Sequence, residues 1–331
     1  MKDFAGRTAF VTGGANGVGI GIVRNLLERG AKVAIADIRQ DAIDRALQSL
    51  DNREVMGVQL DVASRDGFKA AADAVEAQFG PVSILVNNAG VNLFQPIEES
   101  SYDDWDWLLG VNLHGVINGV QTFVPRMVER VKAGQQVGGH VVNTASMAAF
   151  LAGGSPGIYN TTKYAVRGLS ESLRYSLLQY GIGVSVLCPG LVKSYIYASD
   201  DIRPDGLKAQ MKAVDTAAVE RLAGVHEFGM EPDVIGARVI KAMEANRLYI
   251  FSHPDHKDEL REVFDYILDH YQDYPKDPGF DQRVAFEKFR RDAFADARAA
   301  GRADFPDDGA FLNLNTPDDL TRAEALIRGA A

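Results

Sequence analysis

The chain has very little cysteine and no long hydrophobic run. Its single cysteine, Cys188, cannot form an internal disulfide, and we expect a buried structural residue in a reducing compartment. No Cys/His cluster has zinc-site spacing, so no metal is expected. Gly, Asn or charge interrupts every apolar segment, and MKDFAGRTAFVTGG at the N-terminus lacks the apolar region of a signal peptide. We therefore expect a soluble cytoplasmic protein without a membrane partner.

Positive charge is also in short supply. The 331 residues carry a formal net charge of −10, and the isoelectric point is about 5.1. An acidic balance argues against nucleic acid and anionic membranes as partners. Hydrophobic residues make up 46% of the chain, which is ordinary for a globular protein that buries a full core.

Apolar, β-branched segments alternate with helical patterns over most of the chain. This alternation predicts an α/β fold with a doubly wound parallel sheet that helices cover on both faces. Strands are predicted at Arg7–Thr12, Ala31–Asp37, Val55–Leu60, Ser83–Asn87, His140–Ser146, Gly183–Cys188 and Leu248–Phe251. Helices are predicted after the glycine turn to Arg29, and then at Gln40–Leu50, Ser64–Phe79, Ser101–Val131, Ile158–Tyr180 and Glu231–Ala245.

The pattern weakens in two places. Tyr195–Gly229 is polar and irregular, which is typical of a functional lid, so we expect a substrate loop at about 191–230. Residues 253–331 are predicted to form a helical extension packed on a domain at 1–252. Within the extension, an apolar stripe at helical spacing indicates core or an oligomer contact: Leu260, Val263, Phe264, Ile267, Leu268 and Tyr271. Thr316-Pro317 is predicted to begin a short last helix.

A glycine-rich turn follows the first predicted strand. Gly13, Gly17 and Gly19 would let the backbone approach a pyrophosphate, and the next helix would supply N–H donors through its first residues. The spacing Gly13-x3-Gly17-x-Gly19 departs from the common G-x-G-x-x-G, but the βαβ context supports a dinucleotide site. Asn16 and Val18 complete the predicted turn.

Polar residues follow the second, third and fourth predicted strands. Asp37 is placed to bind an adenosine ribose, and its charge would repel a 2′-phosphate, which favours NAD over NADP. Arg39 would partly offset that charge, and the alternative is that Asp37 merely caps the next helix. Further along, Asp61 and Val62 could reach the adenine, and NNAG (Asn87–Gly90) lies at the same edge of the sheet.

A tyrosine followed by a lysine four residues later is the most reactive pattern in the chain. On a helix, Tyr159 and Lys163 would share one face, and Ser146 precedes the tyrosine by thirteen residues. A hydroxyl beside an ammonium is a plausible acid–base pair. The alternative is a surface lysine near an unrelated tyrosine, since one of the 11 tyrosines could show this spacing by chance.

Taken together, these motifs resemble the short-chain dehydrogenase/reductases. They are TGGANGVG (Thr12–Gly19), NNAG, Asn112 in VNLHG, Ser146, Tyr159-x3-Lys163 and PGLVKS (Pro189–Ser194), spread over about residues 5–252. The resemblance implies a Rossmann-type sheet of about seven strands and a catalytic tetrad of Asn112, Ser146, Tyr159 and Lys163. It also implies cofactor binding by Asn88, Ala89, Gly90, Pro189, Gly190, Val192 and Ser194, and commonly a homodimer or homotetramer.

The implied chemistry suits these residue types. As hydride leaves an alcohol for nicotinamide C4, the Tyr159 phenolate would take the hydroxyl proton. Tyrosine's ordinary pKa of about 10 is high for this task, and Lys163 and the oxidised nicotinamide would lower it. Ser146 would hold the substrate oxygen, Lys163 the nicotinamide ribose, and Asn112 a water that relays protons. Alternatively, Asn112 satisfies helix backbone and Ser146 simply ends a strand.

A narrower resemblance is to bacterial NAD-dependent Cα-dehydrogenases of lignin β-aryl ether catabolism. It is carried by the opening MKDF, by Tyr102–Met127, by Tyr180–Val186 and by the long C-terminal extension. The resemblance implies oxidation of a bulky benzylic alcohol to its ketone. The segment Met147–Ile158 departs from what we expect of those enzymes.

Apolar and aromatic side chains in the predicted loops would suit a bulky alcohol. The candidates are Phe94, Met147, Phe150, Leu151, Tyr195, Tyr197 and Phe228, with His226 as a polar contact, although each could equally be lid packing or surface. Other substrates remain open: a steroid, a sugar or an aliphatic alcohol. A dinucleotide-binding regulator without turnover is the alternative outside enzymes.

Overall fold

A seven-stranded, fully parallel sheet forms the centre of the molecule. The computed structural model describes residues 1–50, 54–209 and 216–299. In these ranges the strand order is β3-β2-β1-β4-β5-β6-β7, with every neighbouring pair parallel. The strands are β1 (Thr8–Thr12), β2 (Lys32–Asp37), β3 (Val55–Gln59), β4 (Val82–Asn87), β5 (Gly139–Thr144), β6 (Ile182–Cys188) and β7 (Tyr249–Phe251). The predicted Rossmann-type sheet is therefore confirmed.

Helices cover both faces of the sheet. The α-helices in the described ranges are α1 (Gly17–Glu28), α2 (Gln40–Ser49), α3 (Arg65–Phe79), α4 (Tyr102–Leu109), α5 (Gly115–Lys132), α6 (Gly157–Leu177), α7 (Thr216–His226), α8 (Pro232–Glu244), α9 (Lys257–Leu268) and α10 (Phe280–Ala299). One buried cluster joins the sheet to α1, α2 and α8, and another joins it to α3, α5 and α6. Strands β1, β4, β5 and β6 are buried along their whole length, as two-sided packing requires.

Chain order reverses between β1 and β4. Strands β2 and β3 lie on one side of β1, whereas β4 to β7 continue on the other. Such a switch leaves a crevice outside the carboxyl ends of the strands, where doubly wound sheets bind ligands. The glycine turn after β1 and the NNAG segment after β4 meet at this crevice.

The predicted long helix after Ser101 is interrupted. Ser101 and Asp104 form the predicted capping box at the start of α4. A π-helical turn at Gly110–His114 then separates α4 from α5, while Pro125 lies within α5. Single π turns often occur at functional sites. This one carries Asn112.

The segment expected to be an irregular loop has more regular structure than predicted. It contains 3₁₀ stretches at Ile196–Ile202 and Asp205–Leu207, and it ends in α7. An isolated parallel bridge joins its two ends, Val192 and Met230. A side-chain carbon on Gly229 would lie 2.4 Å from the Val192 carbonyl carbon, so only glycine permits this approach.

The described part of the C-terminal extension consists of α9 and α10. Leu260 packs partly buried against the core, and Phe264 meets the Phe150 ring edge-on, with the ring centroids 6.4 Å apart. Ile267, Leu268 and Tyr271 are exposed, so they are not core. The division at residue 252 stays a prediction, and Thr316-Pro317 lies outside the described residues. None of the helices in the described ranges has the length and apolar character that crossing a bilayer requires.

Candidate active site

A cavity of about 480 Å³ opens at the carboxyl edge of the sheet. It brings together turns that are far apart in the sequence. Ser146, Tyr159 and Lys163 line it, together with most of the predicted cofactor residues: Gly13, Asn16, Gly17, Val18, Asp37, Arg39, Asp61, Val62, Asn88, Ala89, Gly90, Pro189, Gly190, Val192 and Ser194. Of the predicted cofactor residues, Gly19 is the exception.

The glycine turn is shaped for a close backbone approach. Gly13 has a φ of +59°, and a side-chain carbon there would lie 2.8 Å from the Ala89 Cα. Gly17 begins α1 with a φ of +49°, and the Asn16 side chain makes no cap bond to the helix. The first amides of α1 therefore face the cavity as anion donors, and the residues fit a pyrophosphate.

Gly19 has a packing role instead of a cavity role. A side-chain carbon at Gly19 would lie 2.0 Å from the Gly13 carbonyl oxygen, so this residue lets α1 pack on its own turn. The expectation that Gly19 contributes to cofactor binding stays a prediction. Close helix packing is the usual task of the last glycine in such turns.

Asp37 ends β2 at the rim of the cavity. Its carboxylate accepts hydrogen bonds from the amides of Ala15 (3.4 Å) and Arg39 (3.2 Å). Burial raises the pKa of Asp37, and the backbone donors, Arg39 first, act against that rise. The N-cap of α2 is Arg39, so Asp37 does not occupy the cap position of that helix.

Lys163 is buried beneath the tyrosine. Its Nζ donates to the Thr144 carbonyl oxygen at 3.0 Å and lies 5.3 Å from the centre of the Tyr159 ring. Burial lowers the pKa of Lys163 to about 8. The side chain is held by α6, whose spacing puts both residues on the cavity face.

The Tyr159 phenol has a raised pKa. Burial raises it, and a hydrogen bond with Ser146 acts in the opposite direction. The lowering of this pKa by Lys163 and the oxidised nicotinamide stays a prediction; in this arrangement the Lys163 Nζ donates to the Thr144 carbonyl. Ser146 Oγ also accepts from the Ala148 amide at 3.1 Å and donates to the Pro189 carbonyl at 3.4 Å.

Asn112 lies behind the cavity. Its Oδ1 accepts from the Val91 amide at 2.8 Å, and its Nδ2 donates to the Val91 carbonyl and to Thr162 Oγ1. The Asn112 side chain thus bonds the backbone N–H and C=O of Val91, which lies in a loop, whereas the alternative reading expected bonds to a helix backbone. A side-chain carbon on Gly90 would lie 3.3 Å from Asn112 Oδ1 and 3.5 Å from Lys163 Nζ, so both groups face the same small space. Its water-holding role stays a prediction.

Only some of the predicted substrate residues line the cavity. Tyr195 and His226 line the cavity, whereas Phe94, Met147, Phe150, Leu151, Tyr197 and Phe228 do not. Phe150 is buried, with the Arg167 guanidinium carbon 4.0 Å from its ring centre and the tilted Phe251 ring 5.5 Å away. Sequence reasoning could not see that the chain after Ser146 turns inward there.

Further residues line the cavity, and the sequence analysis did not identify them as site residues. They are Val91, Asp106, Trp107, Ile196, Ala198, Ser199, Asp201, Ile202, Pro204 and Leu207. Trp107 lies on α4, whose capping box gave a signal for the helix but none for the cavity. Most of the others belong to the segment that was expected to be irregular.

Comparison with known proteins gives a consistent result. The model of the short chain dehydrogenase family matches residues 7–203. The chain is 38% identical to the C alpha-dehydrogenase of Sphingobium sp. strain SYK-6 over 309 residues, covering 91% of this chain and all of that protein.

Solved structures agree. A short-chain dehydrogenase structure from Novosphingobium aromaticivorans is 75% identical, with a TM-score of 0.79, and covers 90% of this chain and 100% of that one. The apo form of LigO from Sphingobium sp. strain SYK-6 is 40% identical, with a TM-score of 0.71 and coverage of 88% and 98%. A family structure from Burkholderia phymatum in complex with NAD is 33% identical, with a TM-score of 0.76 and coverage of 84% and 100%.

Proposed function

Because the chain belongs to the short-chain dehydrogenase family, we propose that it interconverts a bulky benzylic secondary alcohol and its ketone with NAD as the hydride carrier. One observation carries the proposal. Ser146, Tyr159 and Lys163 line the same cavity as the glycine turn and Asp37. An acid–base group and a dinucleotide cradle in one cleft suit hydride transfer to or from a carbon that bears oxygen.

The cofactor preference rests on Asp37. A carboxylate at the end of β2 accepts hydrogen bonds from ribose hydroxyls and repels a 2′-phosphate. Arg39 also lines the cavity, but its amide is bound to Asp37, which keeps the acidic group at the rim. We therefore propose NAD rather than NADP.

The residues divide the work of alcohol oxidation. NAD, when bound by the glycine turn and Asp37, would supply the acceptor for the hydride of the carbinol C–H bond. Ser146 Oγ donates a hydrogen bond to the substrate oxygen, and Tyr159 takes the hydroxyl proton as the C=O bond forms. Lys163 holds the cofactor ribose and, while protonated, favours the phenolate. Asn112 stands behind Lys163, where it is proposed to hold a relay water.

Apolar and aromatic residues that line the cavity support the proposal of a bulky aromatic substrate. Trp107, Ile202 and Leu207 present apolar surface, and Tyr195 adds a ring that is 68% exposed. The similarity to the C alpha-dehydrogenase of Sphingobium also supports it. Dehydrogenation of a steroid, a sugar or an aliphatic alcohol is the alternative within the same chemistry.

A panel of secondary alcohols tests the proposal. Aryl carbinols, including β-aryl ether dimers, are compared with steroid, sugar and aliphatic alcohols, each with NAD and with NADP. We expect the largest kcat/KM with an aryl carbinol and NAD, measured as reduced cofactor formed. Faster turnover of another class would contradict the substrate proposal, and tighter NADP binding would contradict the role of Asp37.

Tyr159→Phe separates catalysis from binding. Loss of the phenol should lower kcat by roughly 10²–10⁴-fold, the usual contribution of a positioned acid–base group. NAD affinity should change little. Tyr164→Phe is the matched control, because Tyr164 lies on the same helix and donates to the Phe150 carbonyl outside the cavity. Unchanged kcat in Tyr159→Phe would favour a dinucleotide-binding regulator or a different mechanism.

We also propose that the protein assembles as a homodimer or homotetramer. Family membership supports this. The exposed apolar residues of α9 fit an oligomer contact better than the core position considered for them.

A further inference from the structure

We infer that Arg203 and Asp104 are positioning residues that fasten the outer wall of the cavity to α4 and so set which alcohol fits. The inference rests on the proposed function only in taking this wall as the substrate side. The outer wall is defined here as Ile196–Leu207, which comprises the two 3₁₀ stretches.

The fastening is a buried ion pair between distant segments. Arg203 Nη1 donates to Asp104 Oδ1 at 2.5 Å, and the two side chains are 0% and 5% exposed. Hydrogen bonds from Ser101 and Arg203 hold the pKa of Asp104 below its usual value, although burial alone would raise it. The carboxylate is therefore charged at neutral pH, and the contact is a true ion pair.

The two oxygens of Asp104 have different partners. Oδ2 accepts from the Ser101 amide at 2.7 Å, from Ser101 Oγ at 2.8 Å and from Gln95 Nε2 at 3.0 Å. That oxygen completes the cap of α4. Oδ1 is left for Arg203. A change confined to Oδ1 can thus separate the fastening from the helix cap.

Arg203 organises the wall itself. Its Nε donates to the Leu207 carbonyl at 2.5 Å, so it joins the two 3₁₀ stretches. Its guanidinium carbon lies 5.1 Å from the centre of the Trp107 ring, within range of a cation–π contact. Trp107, Ile202 and Leu207 all line the cavity, so Arg203 stands behind three residues of the substrate side.

A second contact, made by Ser199, also binds the outer wall to a neighbouring segment. Ser199 Oγ accepts from the Asn92 amide at 3.0 Å and donates to the Ile196 carbonyl at 2.7 Å. The outer wall is thus bound at two points, through Ser199 to Asn92 and through Arg203 to Asp104.

The Arg203–Asp104 ion pair is better explained by its effect on where the outer wall lies than by a contribution to the stability of the fold. A buried ion pair contributes little net stability compared with apolar packing, because desolvation offsets the attraction. Within the described residues, Arg203 Nη2 has no hydrogen-bond partner, so the site is not optimised for stability. Its directional bonds do fix where the wall lies.

Asp104→Asn tests the inference. The amide can keep an oxygen on the Ser101 side and place its NH₂ against the guanidinium, where two donors repel each other. We expect KM for the alcohol to rise at least about tenfold, since a misplacement of about 1 Å can reduce activity by about 10²-fold. NAD affinity should change less than about twofold, because Asp104 does not touch the cofactor turns. Tryptic cleavage after Lys208 should accelerate.

Companion variants complete the experiment. Arg203→Met should give the same rise in KM. Arg203→Lys should give a smaller rise, because lysine keeps the positive charge but lacks the planar guanidinium with its several N–H donors. Glu76→Gln is the matched control, since Glu76 is a partly buried carboxylate bound to Arg126 and Arg130 at the far end of α3. It should lower thermal stability and leave KM and cleavage unchanged.

The outcomes are decisive. Wild-type KM and wild-type cleavage in folded Asp104→Asn and Arg203→Met would overturn the inference. So would equal losses of alcohol and NAD binding, which would indicate general unfolding. If Asp104→Asn does not fold, Arg203→Lys tests the inference instead: KM for the alcohol should rise while NAD affinity stays near the wild-type value. If the wild-type protein oxidises no alcohol, the proposed function fails, and the rate of tryptic cleavage after Lys208 in the variants still decides the inference.

Discussion

At the scale of single residues, His140 is a buried titratable group that the proposed chemistry does not use. It lies on β5, and its Nε2 is 2.9 Å from Ser185 Oγ, which donates to the Arg247 carbonyl. Because the Ser185 hydroxyl proton is used in the bond to Arg247, Ser185 Oγ can only accept from the ring, and His140 Nε2 therefore carries the ring proton. Burial, and then the positive charges of the N-terminus and Arg174, lower the pKa of His140 well below 6.5.

This lowered pKa predicts acid sensitivity. Below about pH 6.5 the unfolded chain takes up a proton at His140 that the folded chain does not, so stability should fall by up to about 1.4 kcal/mol per pH unit. Thermal unfolding between pH 7 and pH 5 measures the slope. His140→Gln should flatten it, and His270→Gln, a change at an exposed histidine, should not. An unchanged slope in His140→Gln would contradict the assignment.

Sequence reasoning placed the reactive residues well because their chemistry is local. Tyr159 and Lys163 are one helical turn apart, and strand ends locate Asp37 and Asn88 at one edge of the sheet. Phe150 shows the limit. An aromatic residue four positions after Ser146 could face either the cavity or the core, and its partners Tyr249 and Phe251 come a hundred residues later.

At the scale of elements, the turn after β6 depends on a side chain from the end of β7. His253 Nδ1 accepts from the Gly190 amide at 2.9 Å, so Nε2 carries the proton and donates to the Leu191 carbonyl at 2.8 Å. One ring therefore satisfies two backbone groups of a turn that lines the cofactor end of the cavity.

His253→Leu should release this turn. Two backbone groups lose their partners, and each unsatisfied buried group costs about 1–3 kcal/mol. We expect NAD to bind roughly tenfold more weakly, as measured by quenching of protein fluorescence. His253→Gln, which can still donate to Leu191, should recover part of the loss. Wild-type affinity in His253→Leu would show that the turn holds its shape without the ring.

Regular elements were predictable and irregular ones were not. Strands such as β5 and β6 are short, fully buried segments built around β-branched residues, and both lie within two residues of their predicted bounds. The π turn at Gly110–His114 leaves no mark in the sequence, because its residues fit an α-helix equally well. The wall at Ile196–Leu207 has no periodic apolar pattern, since part of it faces a cavity.

At the scale of the whole molecule, assembly is the open prediction. Ile267, Leu268 and Tyr271 are each more than half exposed on or just after α9. Light scattering should give two or four times the chain mass of 36.0 kDa. A stable interface buries about 1,200–2,000 Å² in total. A particle with the mass of one chain across micromolar concentrations would contradict the proposal.

The bridge between Val192 and Met230 has a consequence for how such proteins diversify. The chain leaves the sheet domain and returns to it at one point, where Lys193 donates to the Met230 carbonyl and Met230 to that of Leu191. Everything between is a continuous insert with adjoining ends. Selection could therefore exchange the insert between relatives, or rewrite it, while the hydride-transfer machinery is inherited unchanged.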